Sequence, residues 1–244
     1  MTVTPSLVAQ FAPTGALRAS LNLGNPVLAH SRTSSERPAG VSIDLSRELA
    51  RELGVPVEFL QFDGAAKSVE ALGNGAADVG FMAIDPLRAD RIAFTAAYVQ
   101  IEGAYLVRQE SLISANEQVD RAGTTIVVGA GSAYALYLAR AIQNATLLQV
   151  PTSEAVVSTM LEGGYPVAAG VRQQLEADAK RLDGVRVLDG RFMVIHQAMA
   201  MPRDRSDEAH AYLADFVERM KSTGFVAASL QRHGIEGAKV AEAG

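Results

Sequence analysis

The feature that most constrains the fold is a regular alternation of short apolar runs and amphipathic segments in the first third of the chain. Residues 17–23, 55–62 and 79–84 each have the composition of a strand. Between them, residues 44–53 place apolar side chains along one face of a helix, and residues 65–72 predict a second helix. This strand–helix–strand–helix–strand order predicts an α/β fold with a parallel sheet covered by helices.

The alternation restarts near residue 124, which predicts a second α/β lobe. Residues 124–128 form a predicted strand, and a glycine-rich turn leads into a helix that opens at Ser132. Residues 101–107 and 191–201 predict two strands that cross between the lobes and act as a hinge. We therefore predict lobe 1 at residues 1–106 plus 197–244, with lobe 2 inserted at residues 107–196.

Local signals predict where loops lie and where helices begin. The polar segment Ser31–Gly40 predicts a surface loop, and Asp44 is the predicted start of the first long helix. Ser153 is expected to cap a helix that runs through Leu161, and Ser206 is expected to begin another.

Composition limits the classes of function. Of the 244 residues, 48% are hydrophobic and 20% are charged, which is typical of a soluble globular protein. The net charge of -5 and the lack of a basic run argue against a nucleic-acid partner. Because the chain has no cysteine, disulfides and thiolate chemistry are excluded. The four histidines lack the spacing of metal ligands, so neither a metal nor another cofactor is predicted.

The first 20 residues lack a basic segment followed by a long apolar core, so no signal peptide is predicted. No apolar stretch approaches the length that spans a membrane. As given, the chain is expected in the cytoplasm, and it is expected in the periplasm if an export signal has been removed.

The first candidate binding group is Arg88, which follows the apolar run 79–84. Ligands of parallel sheets sit beyond the carboxyl ends of the strands, where Asn22–Pro26, Phe62–Gly64 and Ile84–Arg88 are predicted to converge. A guanidinium at such an edge can bind a carboxylate through two parallel hydrogen bonds. The position of Arg88 therefore predicts carboxylate binding rather than a solvated surface role.

A second candidate is Ser132, which follows Gly129-Ala130-Gly131. The turn and the helix start form a small anion site, and the alternative is that Ser132 only caps its helix. The third glycine of the dinucleotide fingerprint and the lysine of the phosphate loop are both missing. Asp85 is interpreted as a turn cap and Glu102 as a hydrogen-bond partner, with acid–base roles as the alternative.

Several short motifs along the chain form a recognisable set. They are Leu17-Arg18, Gly40–Leu45, Leu53–Val55, Gly75–Asp78, and Asp85–Ala89 continuing through Ile92–Thr95 to Ala97-Tyr98. This set resembles the motifs of the type II periplasmic substrate-binding proteins, in particular the amino-acid-binding proteins of ABC importers (bacterial family 3). The resemblance covers nearly the whole chain. It implies two lobes, each a mixed or parallel sheet flanked by helices, joined by two crossing strands.

The resemblance also implies roles for particular residues. Arg88 would hold the α-carboxylate of a ligand, helped by Ser132 in the second lobe. The family often has an acidic residue near the strand at residues 165–171 that holds the α-ammonium group, but this chain has no carboxylate there. The predicted ligand-binding residues are Asn25, Met82, Ala83, Asp85, Arg88, Glu102, Ser132, Ala133 and Gln197.

The leading hypothesis is a monomeric solute-binding protein that closes two lobes around a small carboxylate, such as an amino acid, for ABC-type transport or sensing. An ABC-transporter permease is then a further partner. The alternative is an enzyme on the same scaffold, a lyase resembling cyclohexadienyl dehydratase, with Asp85 or Glu102 as its acid. A third hypothesis is a cytoplasmic binding module whose closure is sensed by a partner protein.

Overall fold

A computed structural model describes residues 2–30 and 38–243 of the chain. Most of the predicted loop Ser31–Gly40 therefore lies outside the described residues. The chain divides into two compact units: the first comprises Met1–Gln100 and His196–Gly244, and the second comprises Ile101–Ile195. We refer to them as unit 1 and unit 2.

The elements up to the end of the fourth strand are α1 (Pro5–Phe11), β1 (Leu17–Asn22), α2 (Val41–Leu53), β2 (Val57–Phe62), α3 (Ala65–Gly73), β3 (Val79–Ala83) and β4 (Ile92–Arg108). The next elements are β5 (Thr125–Gly129), α4 (Ala133–Ala141), β6 (Thr146–Val150), α5 (Ala155–Glu162), β7 (Val167–Val171), α6 (Arg172–Arg181) and β8 (Val185–Val187). The last are β9 (Met193–Pro202), α7 (Asp207–Ser222), α8 (Phe225–Arg232) and β10 (Lys239–Val240), and short 3-10 turns lie at Pro86–Arg88 and Asn116–Gln118.

In unit 1 the strand order is β2-β1-β3-β9-β4, with β10 paired to β4. Strand β1 runs parallel to both β2 and β3, whereas β9 runs antiparallel to β3. The register sets Ala83, the last residue of β3, opposite Gln197. The carboxyl ends of β1 and β3 and the adjoining part of β9 therefore lie at one edge of this sheet.

In unit 2 the strand order is β4-β7-β5-β6, with β8 also paired to β4. Strand β5 is parallel to β6 and β7, and β4 is antiparallel to β7 with Gly103 opposite Val171. Every residue of β7 is buried, as expected for a strand covered on both faces. The hydrophobic core of unit 2 includes Leu106, Val127, Val157 and Met160.

The chain passes between the units within β4 and β9, which each contribute residues to both. Strand β4 has 17 residues, so the predicted strand at residues 101–107 is its second half. No helix in the described ranges 2–30 and 38–243 is long and apolar enough to cross a membrane.

The predicted start of α2 at Asp44 is wrong, because the helix begins three residues earlier, at Val41. Gly40 precedes it with φ of 131°, a conformation that side chains rarely adopt. A Cβ at this position would lie 2.4 Å from the carbonyl oxygen of Leu28. Asp44 instead sits in the first turn and accepts a hydrogen bond from Ser229 on α8, at 2.6 Å.

The predicted capping role of Ser153 is also wrong. Helix α5 begins after Glu154, and no side chain caps it. The hydroxyl of Ser153 instead lies 2.9 Å from the hydroxyl of Tyr134 on α4. Ser153 therefore links two elements of unit 2.

Candidate functional site

Arg88 lies in a short turn that reverses the chain just after β3. The side chain of Asp85 caps this 3-10 turn: its Oδ1 accepts from the backbone N–H of Leu87 at 2.9 Å. The backbone N–H of Arg88 donates to the carbonyl oxygen of Asp85 at 3.0 Å. Asp85 thus has the capping role that the sequence favours, and it fixes the turn that carries Arg88.

The guanidinium of Arg88 is buried, with 7% of the residue exposed. Its Nη1 donates to the carbonyl oxygen of Ala83 at 2.8 Å. Burial lowers the pKa of Arg88 to about 10, and the charge of Asp85 opposes part of this shift. The side chain therefore remains a cation at neutral pH. Because water competes weakly at a buried site, such a cation is suited to binding an anion.

Two amide side chains lie at the same edge of the unit 1 sheet. Asn25 follows β1, and Gln197 is opposite Ala83 on β9. Both residues are buried, with 7% and 4% exposed, respectively. Neither Asn25 Oδ1 nor Gln197 Oε1 has a hydrogen-bond partner among the described residues. The structure thus brings Ala83, Arg88 and Gln197 together and places Asn25 beyond the end of the neighbouring strand β1.

Met82 differs from these residues in where its side chain packs. It belongs to an apolar cluster with Leu72, Ala77 and Ile92 inside unit 1. A Cβ at Gly80 would lie 2.7 Å from its methyl carbon. The Met82 side chain is therefore part of the core at the end of β3.

In unit 2, Ser132 is the N-cap of α4 and is buried. Its Oγ accepts from the backbone N–H of Ala135 at 3.1 Å, and its hydroxyl also interacts with the hydroxyl of Tyr134. Ala133 is the first residue of the helix. A hydroxyl beside free N–H groups at a helix start is suited to an oxyanion. The structure shows the helix cap, and anion binding at this position stays a prediction.

Glu102, on the part of β4 in unit 2, is engaged by two arginines. Its carboxylate accepts from Arg172 Nε at 2.9 Å and from Arg191 Nη1 at 2.8 Å. Burial raises the pKa of Glu102, but the hydrogen bonds from Arg191 and Arg172 outweigh it, and the net pKa is below its usual value. The carboxylate is therefore ionised at neutral pH.

The sequence analysis did not single out Arg172. It is the first residue of α6, directly after β7, and it also donates to the carbonyl oxygen of Gly190. The positional rule that selected Arg88 also applies to Arg172, because both arginines follow the carboxyl end of a buried strand.

The predicted site residues are thus divided between the two units. Unit 1 contains Asn25, Met82, Ala83, Asp85, Arg88 and Gln197, and unit 2 contains Glu102, Ser132 and Ala133. Across residues 2–30 and 38–243, no group of three or more histidine and acidic side chains is placed to hold a metal ion.

Comparison with protein-family models matches residues 25–235 to the family described as "Bacterial extracellular solute-binding proteins, family 3". The match spans most of the chain, and the chain belongs to this family of solute-binding proteins. The family resemblance predicted from the sequence motifs is confirmed. No curated protein matches the sequence.

Solved structures with the same fold are distant in sequence. The solute receptor for L-cysteine of Neisseria gonorrhoeae is 19% identical, with a TM-score of 0.80 over 94% of each chain. An ABC-transporter binding component from Wolinella succinogenes, complexed with lysine, is 20% identical, with a TM-score of 0.77 over 90% of this chain and 95% of the other. An ancestral amino-acid-binding protein, a precursor of cyclohexadienyl dehydratase, is 19% identical, with a TM-score of 0.77 over 92% and 97%, respectively. These similarities confirm the predicted type II periplasmic-binding-protein fold.

Proposed function

We propose that this solute-binding protein binds a small carboxylate, an amino acid or a related compound, through Arg88. The observation that supports this most strongly is the buried guanidinium at the end of β3, held by the carbonyl oxygen of Ala83. The planar guanidinium carries several N–H donors in a geometry that matches the two oxygens of a carboxylate. Two of the similar structures, a binding component complexed with lysine and a receptor for L-cysteine, support an amino-acid-like ligand.

In this proposal Ser132 adds a hydroxyl donor for the ligand and Ala133 adds a backbone N–H. The two units close around the ligand, and the liganded monomer is recognised by the permease of an ABC transporter. The family is described as extracellular, which supports a location outside the cytoplasm, such as the periplasm.

A lyase on the same scaffold is less well supported. A general acid must be protonated before it can donate, whereas Glu102 is ionised and is bound by Arg172 and Arg191. Asp85, the other candidate acid, caps the turn before Arg88. We therefore propose a binding role without turnover.

The experiment is a thermal-shift screen with L-amino acids, their amides and small dicarboxylates. A ligand at about 100 times its Kd adds about 2.7 kcal/mol to the free energy of unfolding. We expect a shift of several degrees for at least one free carboxylate. The matched amide, in which the carboxylate is blocked, should give none. Equal shifts with the acid and its amide, or no shift with any carboxylate, would contradict the proposal.

A further inference from the structure

The amide side chains of Asn25 and Gln197 lie near the carboxyl ends of β1 and β3 in the unit 1 sheet. Both side chains are more than nine-tenths buried, and both oxygens lack a hydrogen-bond partner among the described residues. Leaving a buried acceptor unpaired costs free energy, so such groups in folded proteins usually have a specific role. Two of them at one sheet edge indicate a place for a hydrogen-bond donor.

The topology puts this pair beside the predicted carboxylate site. Gln197 is opposite Ala83, whose carbonyl oxygen accepts from Arg88. Asn25 lies three residues beyond the end of β1, the parallel neighbour of β3. The hydrogen-bond donors of Arg88 and the acceptors of Asn25 and Gln197 therefore lie on neighbouring strands of unit 1 or a few residues beyond their ends.

The carboxylates that could hold a ligand cation have other contacts. In unit 1, Asp85 accepts from the N–H of Leu87, and its charge acts on Arg88. Asp63, after β2, pairs with Lys67 at 2.8 Å. In unit 2, Glu102 is bound by two arginines. Among the described residues, Asn25 and Gln197 thus offer unpaired acceptors that are neutral amide oxygens.

We propose that Asn25 and Gln197 form a donor-recognising subsite that accepts a hydrogen bond from the group on the ligand's α-carbon without requiring a positive charge. The inference rests on the proposed function, since Arg88 must first hold the carboxylate. A neutral amide oxygen accepts a hydrogen bond from either an ammonium or a hydroxyl, and it discriminates between the two less than a carboxylate does. The protein would therefore accept both 2-amino and 2-hydroxy acids.

Calorimetry with matched ligand series tests this directly. The probes are the 2-amino, 2-hydroxy and unsubstituted forms of three acids. They are L-alanine, L-lactate and propanoate; L-leucine, (S)-2-hydroxy-4-methylpentanoate and 4-methylpentanoate; and L-lysine, (S)-6-amino-2-hydroxyhexanoate and 6-aminohexanoate. Within the series that binds, we expect the amino and hydroxy forms to agree within about fivefold in Kd. The unsubstituted form should bind about tenfold or more weakly, because it leaves the acceptors unpaired.

Two variants assign the effect to these side chains. Asn25→Leu and Gln197→Met remove the acceptors at similar volume. In each variant, the ratio of the Kd values of the unsubstituted and hydroxy forms should fall toward one, while the carboxylate still binds. The matched control is Gln61→Met, which replaces an exposed glutamine on β2. It should keep the ratios of Kd values measured for the wild-type protein. Because the ratios are first measured in the wild-type protein, the test does not depend on the variants folding.

The outcomes separate the inference from the proposed function. A hydroxy form as weak as the unsubstituted form would mean that positive charge is recognised, which overturns the inference but keeps carboxylate binding. Equal affinity of all three forms would show that no donor subsite exists. If no probe in any series binds, the same three forms are compared for the carboxylate that gives the largest thermal shift. If no carboxylate in that screen binds, the proposed function fails and the inference fails with it.

Discussion

The carboxylate of Glu102 on β4 accepts a hydrogen bond from Nε of Arg172, the first residue of α6, at 2.9 Å. A second arginine, Arg191, donates to the other oxygen at 2.8 Å. Glu102 thus joins a strand, a helix and the segment that leads into β9, all within unit 2. This arrangement gives the carboxylate a structural role that opposes its use as a general acid.

Replacing Glu102 by glutamine should therefore change the dependence of stability on pH. Because the folded pKa of Glu102 lies below its unfolded value, its contribution is present at neutral pH and is lost as the pH falls through the folded pKa. The groups are partly exposed, so we expect a contribution of at most about 1 kcal/mol. Urea unfolding between pH 7 and pH 3 should show a flatter profile for Glu102→Gln than for the wild type.

The control for this prediction is Glu110→Gln. Glu110 is an exposed residue of the same unit, and its replacement should leave the pH profile unchanged. Profiles for Glu102→Gln and the wild type that superimpose would contradict the assigned role.

Ser132→Ala should lower both stability and ligand affinity. Loss of a serine N-cap costs about 1 kcal/mol, and the ligand also loses a hydroxyl donor. Ser206 caps α7 in the same way, accepting from the N–H of Ala209 at 3.2 Å. Ser206→Ala should therefore lose similar stability at unchanged Kd. Urea unfolding and calorimetry compare the two variants, and equal effects on Kd would remove Ser132 from the predicted site.

Asp78→Asn should be strongly destabilising. Asp78 is fully buried and accepts from Arg18 Nη2 at 2.7 Å and from Arg205 Nη2 at 3.1 Å. Removing one partner of a buried ion pair costs about 3–5 kcal/mol because the remaining charge is uncompensated. Asp63→Asn breaks an exposed pair with Lys67, and its effect on stability should be much smaller. Similar urea midpoints for Asp78→Asn and Asp63→Asn would contradict the prediction that the buried ion pair contributes more stability than the exposed one.

Gly129→Ala should destabilise unit 2. A Cβ there would lie 2.8 Å from the hydroxyl oxygen of Tyr134 and 2.9 Å from Oγ of Ser153. Overpacking of this kind costs about 1–3 kcal/mol. Tyr134→Phe removes the closest of these contacts, so adding it to Gly129→Ala should restore part of the lost stability. Strictly additive losses in the double variant would contradict this explanation.

The alternation of short strands and helices was sufficient to predict the α/β fold, because each strand is bounded by glycine or polar turns. The first half of β4 was not predicted as a strand, since residues 92–98 lack a clear period of two. The start of α2 was misplaced because Gly40 is constrained by a contact with Leu28, which sequence patterns do not reveal.

The candidate site was only partly accessible from the sequence. The position of Arg88 after a buried strand was sufficient to make it a candidate, and its role in binding stays a prediction. The burial of Asn25 and Gln197 depends on strand register and tertiary packing, so their unpaired oxygens could not be foreseen. The pairing of Glu102 with Arg172 joins residues 70 positions apart, and only the folded chain shows it.

The most direct test of the central claim is calorimetric titration of Arg88→Met with the carboxylate that gives the largest thermal shift. Loss of a charge-assisted, two-pronged interaction should weaken binding by about 100-fold or more. Arg91→Met, an exposed arginine three residues further on, should retain the wild-type Kd. If Arg88→Met, shown to be folded by circular dichroism, binds as tightly as Arg91→Met, then Arg88 does not hold the carboxylate.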